Sequence, residues 1–328
     1  MLFRTNSKRR MSLLPEYFNP VQTAEGYTLS VDKVAVDYIS KGPDTLTSLG
    51  RLLDNLPIRY AISTKPWESF KIGSFRQNYT VTFQSGNSFW LGIGLNSTKT
   101  EWNRVRLEVN PNKCAVHASF LEVLNFLNVN SRPMHTGIKR FDLAVDIPVE
   151  RENARLIKDS RVYSERRHGK EWTEYLGAQA SHIGRVKLYN KQSEAKLSYP
   201  LTRLEVTLDP VTPFEKLPWP EAYYIKWQQV GMEELSITDT ERYILSALLA
   251  GFGSTKELYR KTREKMDKLM AHYVQPIRIS KTDYKLLLSK LRFFLTCPEK
   301  SMEDEYIDPD QAPRGPAWVR NAEQSPIL

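Results

Sequence analysis

The chain has 328 residues, 41% of them hydrophobic and 11% aromatic, and a formal net charge of +9. That is enough chain for two domains with buried cores and too apolar for a disordered polymer. Cys114 and Cys297 are the only cysteines and form no Cys-x-x-Cys pair, which excludes a disulfide framework and a zinc knuckle.

No apolar run approaches the ~18 residues that span a membrane, and the basic start Met1–Met11 lacks the apolar stretch of a signal peptide. A cytoplasmic protein with no membrane partner is expected. The basic charge lies in the body of the chain, because the segment after Glu299 carries Glu303, Asp304, Glu305, Asp308 and Asp310. A basic body predicts a polyanionic partner, and nucleic acid is the commonest one.

In chain order, Val31, Val34 and Val36 alternate imperfectly and predict a strand over 31–38, and Leu46, Leu49, Leu52 and Leu53 predict a helix over 45–56. Runs 77–83 and 89–95 alternate around the turn residues Gln84-Ser85-Gly86-Asn87, as in a hairpin. A strand at 105–109 stops at Asn110-Pro111-Asn112, after which Val116, Phe120, Leu121, Leu124 and Leu127 line one helical face. Strands follow at 138–147, 185–189 and 202–208. Beyond the breakers Pro213, Pro218 and Pro220, helical segments run to Leu295, with one helix at 238–250 and a long one at 255–273.

The pattern predicts an α+β fold: an antiparallel sheet with helices on one face, followed by a mostly helical C-terminal domain. The expected divisions are an N-terminal arm (1–30), a sheet domain (31–212), a helical domain (213–298) and an acidic, disordered tail (299–328).

Successive side chains of a strand point to opposite faces. Phe141, Leu143, Val145 and Ile147 therefore leave Arg140, Asp142 and Asp146 on the other face. In the same way Val105, Leu107 and Val109 leave Arg104, Arg106 and Glu108, and Leu204, Val206 and Leu208 leave Arg203, Glu205 and Thr207. Val186 and Leu188 leave Arg185, Lys187 and Tyr189. If these strands share a sheet, one face gathers carboxylates, cations and a phenol. Cross-strand ion pairs on a wet surface account for any one strand; four strands with one inventory point to a site.

Grouped carboxylates suit Mg²⁺ or Mn²⁺, which take oxygen ligands and contact substrate phosphates. Arg and Lys neutralise phosphate oxygens, and a tyrosine becomes a nucleophile where cations favour its phenolate.

Competing motifs are absent or poor. Gly251-Phe252-Gly253-Ser254-Thr255-Lys256 lacks P-loop spacing, and the five histidines include no His-x-His or His-x-x-x-His pair, which weakens a zinc or histidine-metal nuclease.

On these strands the words resemble the Rep_trans family, the plasmid rolling-circle replication initiators and related relaxases of conjugative elements. Val105-Arg-Leu-Glu-Val-Asn-Pro-Asn-Lys113 resembles that family's Arg-[Ile/Leu]-Glu-Phe-Asn-Pro-Asn-Lys block, and Arg140-Phe-Asp-Leu-Ala-Val-Asp146 its Arg-x-Asp-[Leu/Ala]-Ala-x-Asp block. Tyr175-Leu-Gly177, Ser181, Leu188-Tyr-Asn-Lys191 and Glu194 resemble the nucleophile block, and Arg203-Leu-Glu205 the last one. The chain departs in having one extra residue between Ser181 and Tyr189 and Lys187 in place of the usual Arg.

The resemblance implies a site-specific, metal-dependent DNA endonuclease and strand transferase. Tyr189 would be the nucleophile, with Lys187 and Arg203 beside it. Glu108, Asp142 and Glu205, with Asp146 as a fourth candidate, would hold Mg²⁺ or Mn²⁺. Arg106, Arg140, Arg185 and Lys191 would contact DNA around the nick; Arg260, Lys261, Arg263 and Lys265 would hold phosphates from the helical domain. The implied partners are duplex origin DNA, single-stranded DNA, a host helicase and a second copy of the chain. A conjugative relaxase uses the same chemistry, and a non-catalytic origin-binding protein is the alternative of another class.

Overall fold

The protein is described here by a computed structural model covering residues 21–60, 62–66, 75–95, 103–115, 117–132, 137–169, 171–178, 183–225, 237–249 and 254–296. Its strands are β1 (Val21–Gln22), β2 (Thr28–Ile39), β3 (Ile62–Pro66), β4 (Phe75–Phe83), β5 (Ser88–Leu95), β6 (Arg104–Val109), β7 (Gly137–Ile147), β8 (Ala154–Leu156), β9 (Tyr163–His168), β10 (Glu171–Leu176), β11 (Val186–Asn190), β12 (Thr202–Leu208), β13 (Ala222–Ile225) and β14 (Val274–Pro276). Its helices are α1 (Pro43–Arg59), α2 (Pro111–Cys114), α3 (Ala118–Asn130), α4 (Lys191–Ala195), α5 (Asp239–Leu249), α6 (Arg260–Tyr273) and α7 (Lys281–Thr296).

The fold mixes helix and strand around a large antiparallel sheet. Eleven strands form it in the order β3-β4-β5-β6-β2-β7-β12-β11-β10-β9, with β1 alongside β2. The hydrophobic alternation of each strand puts Val81, Leu91, Leu107, Val36, Leu143, Leu204 and Leu188 on a common face, where they are buried with residues of α1, α3 and α7.

Each of these helices supplies an apolar stripe at helical spacing. In α1 it is Leu49, Leu53 and Leu56, behind a proline at the first turn that costs no hydrogen bond. In α3 it is Phe120, Val123, Leu124 and Leu127, and Phe120 packs against Phe89 of β5 and Phe294 of α7. Burying such side chains contributes roughly 1.5–3 kcal/mol each, which fixes the helices to this face and leaves the other one for polar side chains.

The imperfect alternation of Val31, Val34 and Val36 has a structural cause. The pairing of β2 with β7 shifts register between Val31 and Lys33, a bulge that lets residues on either side of it both face the core. Asn112 pins it, donating from Nδ2 to the Val31 carbonyl at 2.8 Å, while Asn110 caps α2 and donates to Asp32. The Asn-Pro-Asn run therefore shapes the bulge that turns Lys33 and Asp32 toward the polar face.

Several sequence expectations need correction. Residues 21–30 are not an arm: Val21, Tyr27 and Leu29 are buried in the main core. The division at Pro213 does not follow the packing either, because Tyr284, Leu287, Leu291 and Phe294 of α7 join the main core. β13 also pairs with both β8 and β14 in a small sheet that straddles the expected boundary. Among the described residues, α5, α6 and Ile225 of β13 form a separate cluster around Leu245, Leu248 and Met266.

The long helix expected over 255–273 is broken. Thr255–Glu257 is a 3-10 turn with a Ser254 capping box, and α6 starts afresh at Arg260. The β9–β10 hairpin was not anticipated. The tail 299–328 lies outside the described residues.

Candidate active site

The antiparallel registers bring the polar residues of five strands into neighbouring rows. Glu205 of β12 faces Lys187 of β11, and Lys187 faces Tyr175 of β10; one row along, Asp146 of β7, Arg203, Tyr189 and Thr173 stand side by side. The third row is Lys33 of β2, Asp142 and Thr207. Tyr189 sits at the end of β11, where the Asn190 side chain accepts from Ser193 N and starts α4.

The Tyr189 hydroxyl donates to Glu205 Oε1 at 2.6 Å, and Lys187 Nζ donates to the other oxygen, Oε2, at 2.9 Å. Glu205 is only 5% exposed. Burial disfavours its ionisation, but Lys187, the Tyr189 hydrogen bond and Arg203 outweigh that and hold its carboxyl below the ordinary range. Burial likewise opposes the charge on Lys187, and Glu205 overcomes it, keeping the ammonium charged above its usual range. The Tyr189 phenol is pushed far up, first by burial and then by the Glu205 charge. At rest the phenol therefore keeps its proton, already directed at a carboxylate.

Arg203, which faces Tyr189 across the strand pair, is gripped by acids. Its Nε and Nη2 donate to the two oxygens of Asp146 at 2.6 and 2.7 Å, and Nη1 donates to Asp32 at 3.0 Å. A fork held on two sides cannot swing, so its charge is a fixed feature beside the phenol.

The expected four-acid cluster does not form. Among the described residues, no three acidic, histidine or cysteine side chains come together closely enough to hold an ion. Asp146 is committed to Arg203. Glu108 lies two strands from Asp142 and binds Lys33 at 2.7 Å and Arg140 at 2.9 Å; despite burial, these cations hold its carboxyl below the ordinary range.

Asp142 and Glu205 remain a neighbouring pair. The Asp142 carboxyl is raised, by burial first and also by the Glu205 charge, and it accepts from Thr207 Oγ1 at 2.7 Å. A buried acid that titrates late beside another acid has charge that a cation would relieve, and Mg²⁺ is commonly held by one or two carboxylates with waters and substrate phosphate. Asp142, bonded through one oxygen to Thr207, fits such an ion; Glu205, whose two oxygens accept from Tyr189 and Lys187, and the wider set do not.

The remaining expected DNA contacts fall into two groups. Arg106 makes a bidentate pair with Asp37 at 2.6 and 2.8 Å, and Lys191 pairs with Glu194. Arg185 and Arg166 both lie against the Tyr175 ring, with guanidinium carbons 5.7 and 5.8 Å from its centroid. On α6, Arg263 donates to the carbonyls of Thr255, Lys256 and Leu258, closing the turn ahead of the helix. Lys265 binds Glu241 at 2.7 Å. These two hold structure together, whereas Arg260 and Lys261, like Lys268, are exposed.

Sequence reasoning overlooked Lys33, Asp32 and Arg166. The bulge hid the first two. Arg166 lies on β9, a polar edge strand with no apolar period; the one available sign was Gly169 at the hairpin turn, with φ of 57°. Comparison with protein-family models and with curated proteins found no match, so the residues alone carry the chemical reading.

Proposed function

We propose that this chain is a rolling-circle replication initiator, which binds origin DNA and nicks and rejoins one strand through a 5′-phosphotyrosyl intermediate on Tyr189. The observation that carries this reading is the Tyr189 hydroxyl donating to Glu205 at 2.6 Å on a cation-lined sheet face.

A phenol with a raised proton affinity is a poor nucleophile until something takes its proton. Glu205 is in hydrogen-bond contact and takes it as the Tyr189 oxygen bonds to phosphorus. The phosphorus–O3′ bond breaks, and the departing 3′ oxygen receives a proton, which leaves a free 3′-hydroxyl and the 5′ phosphate on Tyr189. Lys187 donates to the other oxygen of this carboxylate and orients it toward the phenol, while Arg203 holds a fixed positive charge beside the attacking oxygen.

Mg²⁺ or Mn²⁺ held by Asp142 would supply charge neutralisation at the phosphoryl oxygens. The tyrosyl ester conserves the energy of the broken bond, so a 3′-hydroxyl can reverse the step with no nucleotide hydrolysis. The free 3′ end meanwhile primes synthesis.

The test uses purified protein, Mn²⁺ and a supercoiled plasmid carrying the element that encodes the chain. Nicked circles with protein covalently attached to the 5′ end are expected from the wild type and not from Tyr189→Phe. An adduct that survives Tyr189→Phe, or nicking without any adduct, removes the proposal.

A further inference from the structure

Beyond the phenol and its carboxylates, the same sheet face carries a second feature. A cleft of about 1220 Å³ lies over β5, β6, β2 and the start of β7 and includes Glu108, Lys33 and Arg140. Pockets for small molecules run roughly 300–1,000 Å³, so this one is large enough for a length of polymer. One wall is aromatic: Phe75 and Trp90 meet edge to face, 5.6 Å between ring centroids and 80° between planes. Ile183 and Val211, both exposed, also line the cleft.

The aromatic wall is built into the sheet. Trp90 stands opposite Glu108 and Gly92 opposite Arg106, and the two rings lie over Gly92. A Cβ at that position would come within 2.5 Å of the Trp90 ring and 2.7 Å of Phe75, so only glycine leaves the space they fill. The Arg106 guanidinium stacks on Phe75 at 5.5 Å. The indole N–H of Trp90 is buried and has no hydrogen-bond partner among the described residues. Aromatic faces above a cationic floor are what unpaired nucleobases and their phosphates bind.

We propose that this cleft seats a base of the single strand that flanks the nick, with the partly exposed Trp90 as the stacking surface, the buried Phe75 ring holding it in place, and Arg106 and Arg140 beneath the backbone. The assignment rests on the reading of this face as a strand-transfer site. Five strand steps separate Trp90 on β5 from Tyr189 on β11, roughly 24 Å at about 4.8 Å per strand. The seated base is therefore some nucleotides removed from the scissile phosphate, and its contacts hold the strand in register while the ends are apart.

The experiment measures fluorescence polarisation of the full chain with a labelled oligothymidylate of about 20 nucleotides and with an abasic strand of equal length, in EDTA so that no cleavage intervenes. The wild type and Tyr189→Phe are expected to prefer the base-bearing strand by about ten-fold or more. Phe75→Ala and Trp90→Leu should lose that preference, while Trp90→Phe, which keeps a ring in place, should retain it. Equal affinity of the wild type for the two strands overturns the proposal, as does a preference unchanged in both Phe75→Ala and Trp90→Leu. Nicking is scored separately with the plasmid: a ring-dependent base preference in a chain that forms no tyrosyl adduct leaves the cleft standing and removes the strand-transfer reading.

Discussion

Tyr189 and Glu205 lie on adjacent antiparallel strands, two residues out of register and so on the same face, and the phenol donates to the carboxylate at 2.6 Å. With Glu205 as the proton acceptor, Glu205→Gln keeps the side chain's shape and an acceptor oxygen but removes its basicity. Loss of a general base costs about 10²–10⁴-fold in rate. The expected result is that drop in adduct formation with DNA affinity unchanged, measured by single-turnover cleavage and by polarisation. A variant that cleaves at the wild-type rate would show that the hydrogen bond is structural.

Asp142 offers a test of metal binding that does not depend on activity. Its folded-state carboxyl is raised by burial and by Glu205, so the folded protein holds this proton more tightly than the unfolded chain. Stability from that source is present at acid pH and lost as pH climbs through the raised value. Asp142→Asn, which still accepts from Thr207, should therefore raise Tm at neutral pH, with the gain vanishing below the ordinary carboxylate range. Mn²⁺ should raise the Tm of the wild type more than that of the variant, because a ligand bound to the folded state stabilises it by mass action. Equal Mn²⁺ shifts in the two proteins would count against Asp142 as a ligand.

Most of this face was legible because burial of one side of a strand forces its other side into view. Arg140, Asp142, Glu205, Lys187 and Tyr189 all follow from apolar residues two apart, and the structure places them on one face. What the sequence could not supply is partnership. Alternation shows that Glu108, Asp142 and Asp146 share a face, but strand order and register decide which cation each one meets, and the β2 bulge inserts Lys33 between two of them. Edge strand β9 escaped for the opposite reason: five of its six residues are exposed, so no hydrophobic period marks it.

Arg151 anchors the strand that carries Tyr175. It is 1% exposed, pairs with Glu174 of β10, donates to the Ala154 carbonyl at 2.9 Å and stacks over Trp172 at 4.0 Å. Removing one partner of a buried pair leaves the other charge unpaired, at a cost of about 3–5 kcal/mol. Arg151→Ala should lower stability by that order in urea unfolding, and Arg151→Ala with Glu174→Leu should recover part of it. If the single variant loses under ~1 kcal/mol, water reaches the pair and burial is not what makes it matter.

The two sets of bases should separate by substrate. Arg166 and Arg185 flank Tyr175, whose strand neighbour Lys187 contacts Glu205, so in the proposed reaction they would contact the strand being cut. Arg260, paired with Glu264 at 2.9 Å, and Lys261 stand exposed on α6 and in the proposed reading would hold duplex phosphates. Each lost phosphate contact lowers the slope of log affinity against log salt by about 0.7 on single strands and 0.9 on duplex. Arg166→Ala is thus expected to flatten the salt dependence for a single-stranded oligonucleotide and leave origin-duplex binding alone. Arg260→Ala with Lys261→Ala should weaken origin binding uniformly and leave single-strand cleavage at its original rate. Identical losses on both substrates from either variant would mean that one continuous basic surface, rather than two sites, receives the DNA.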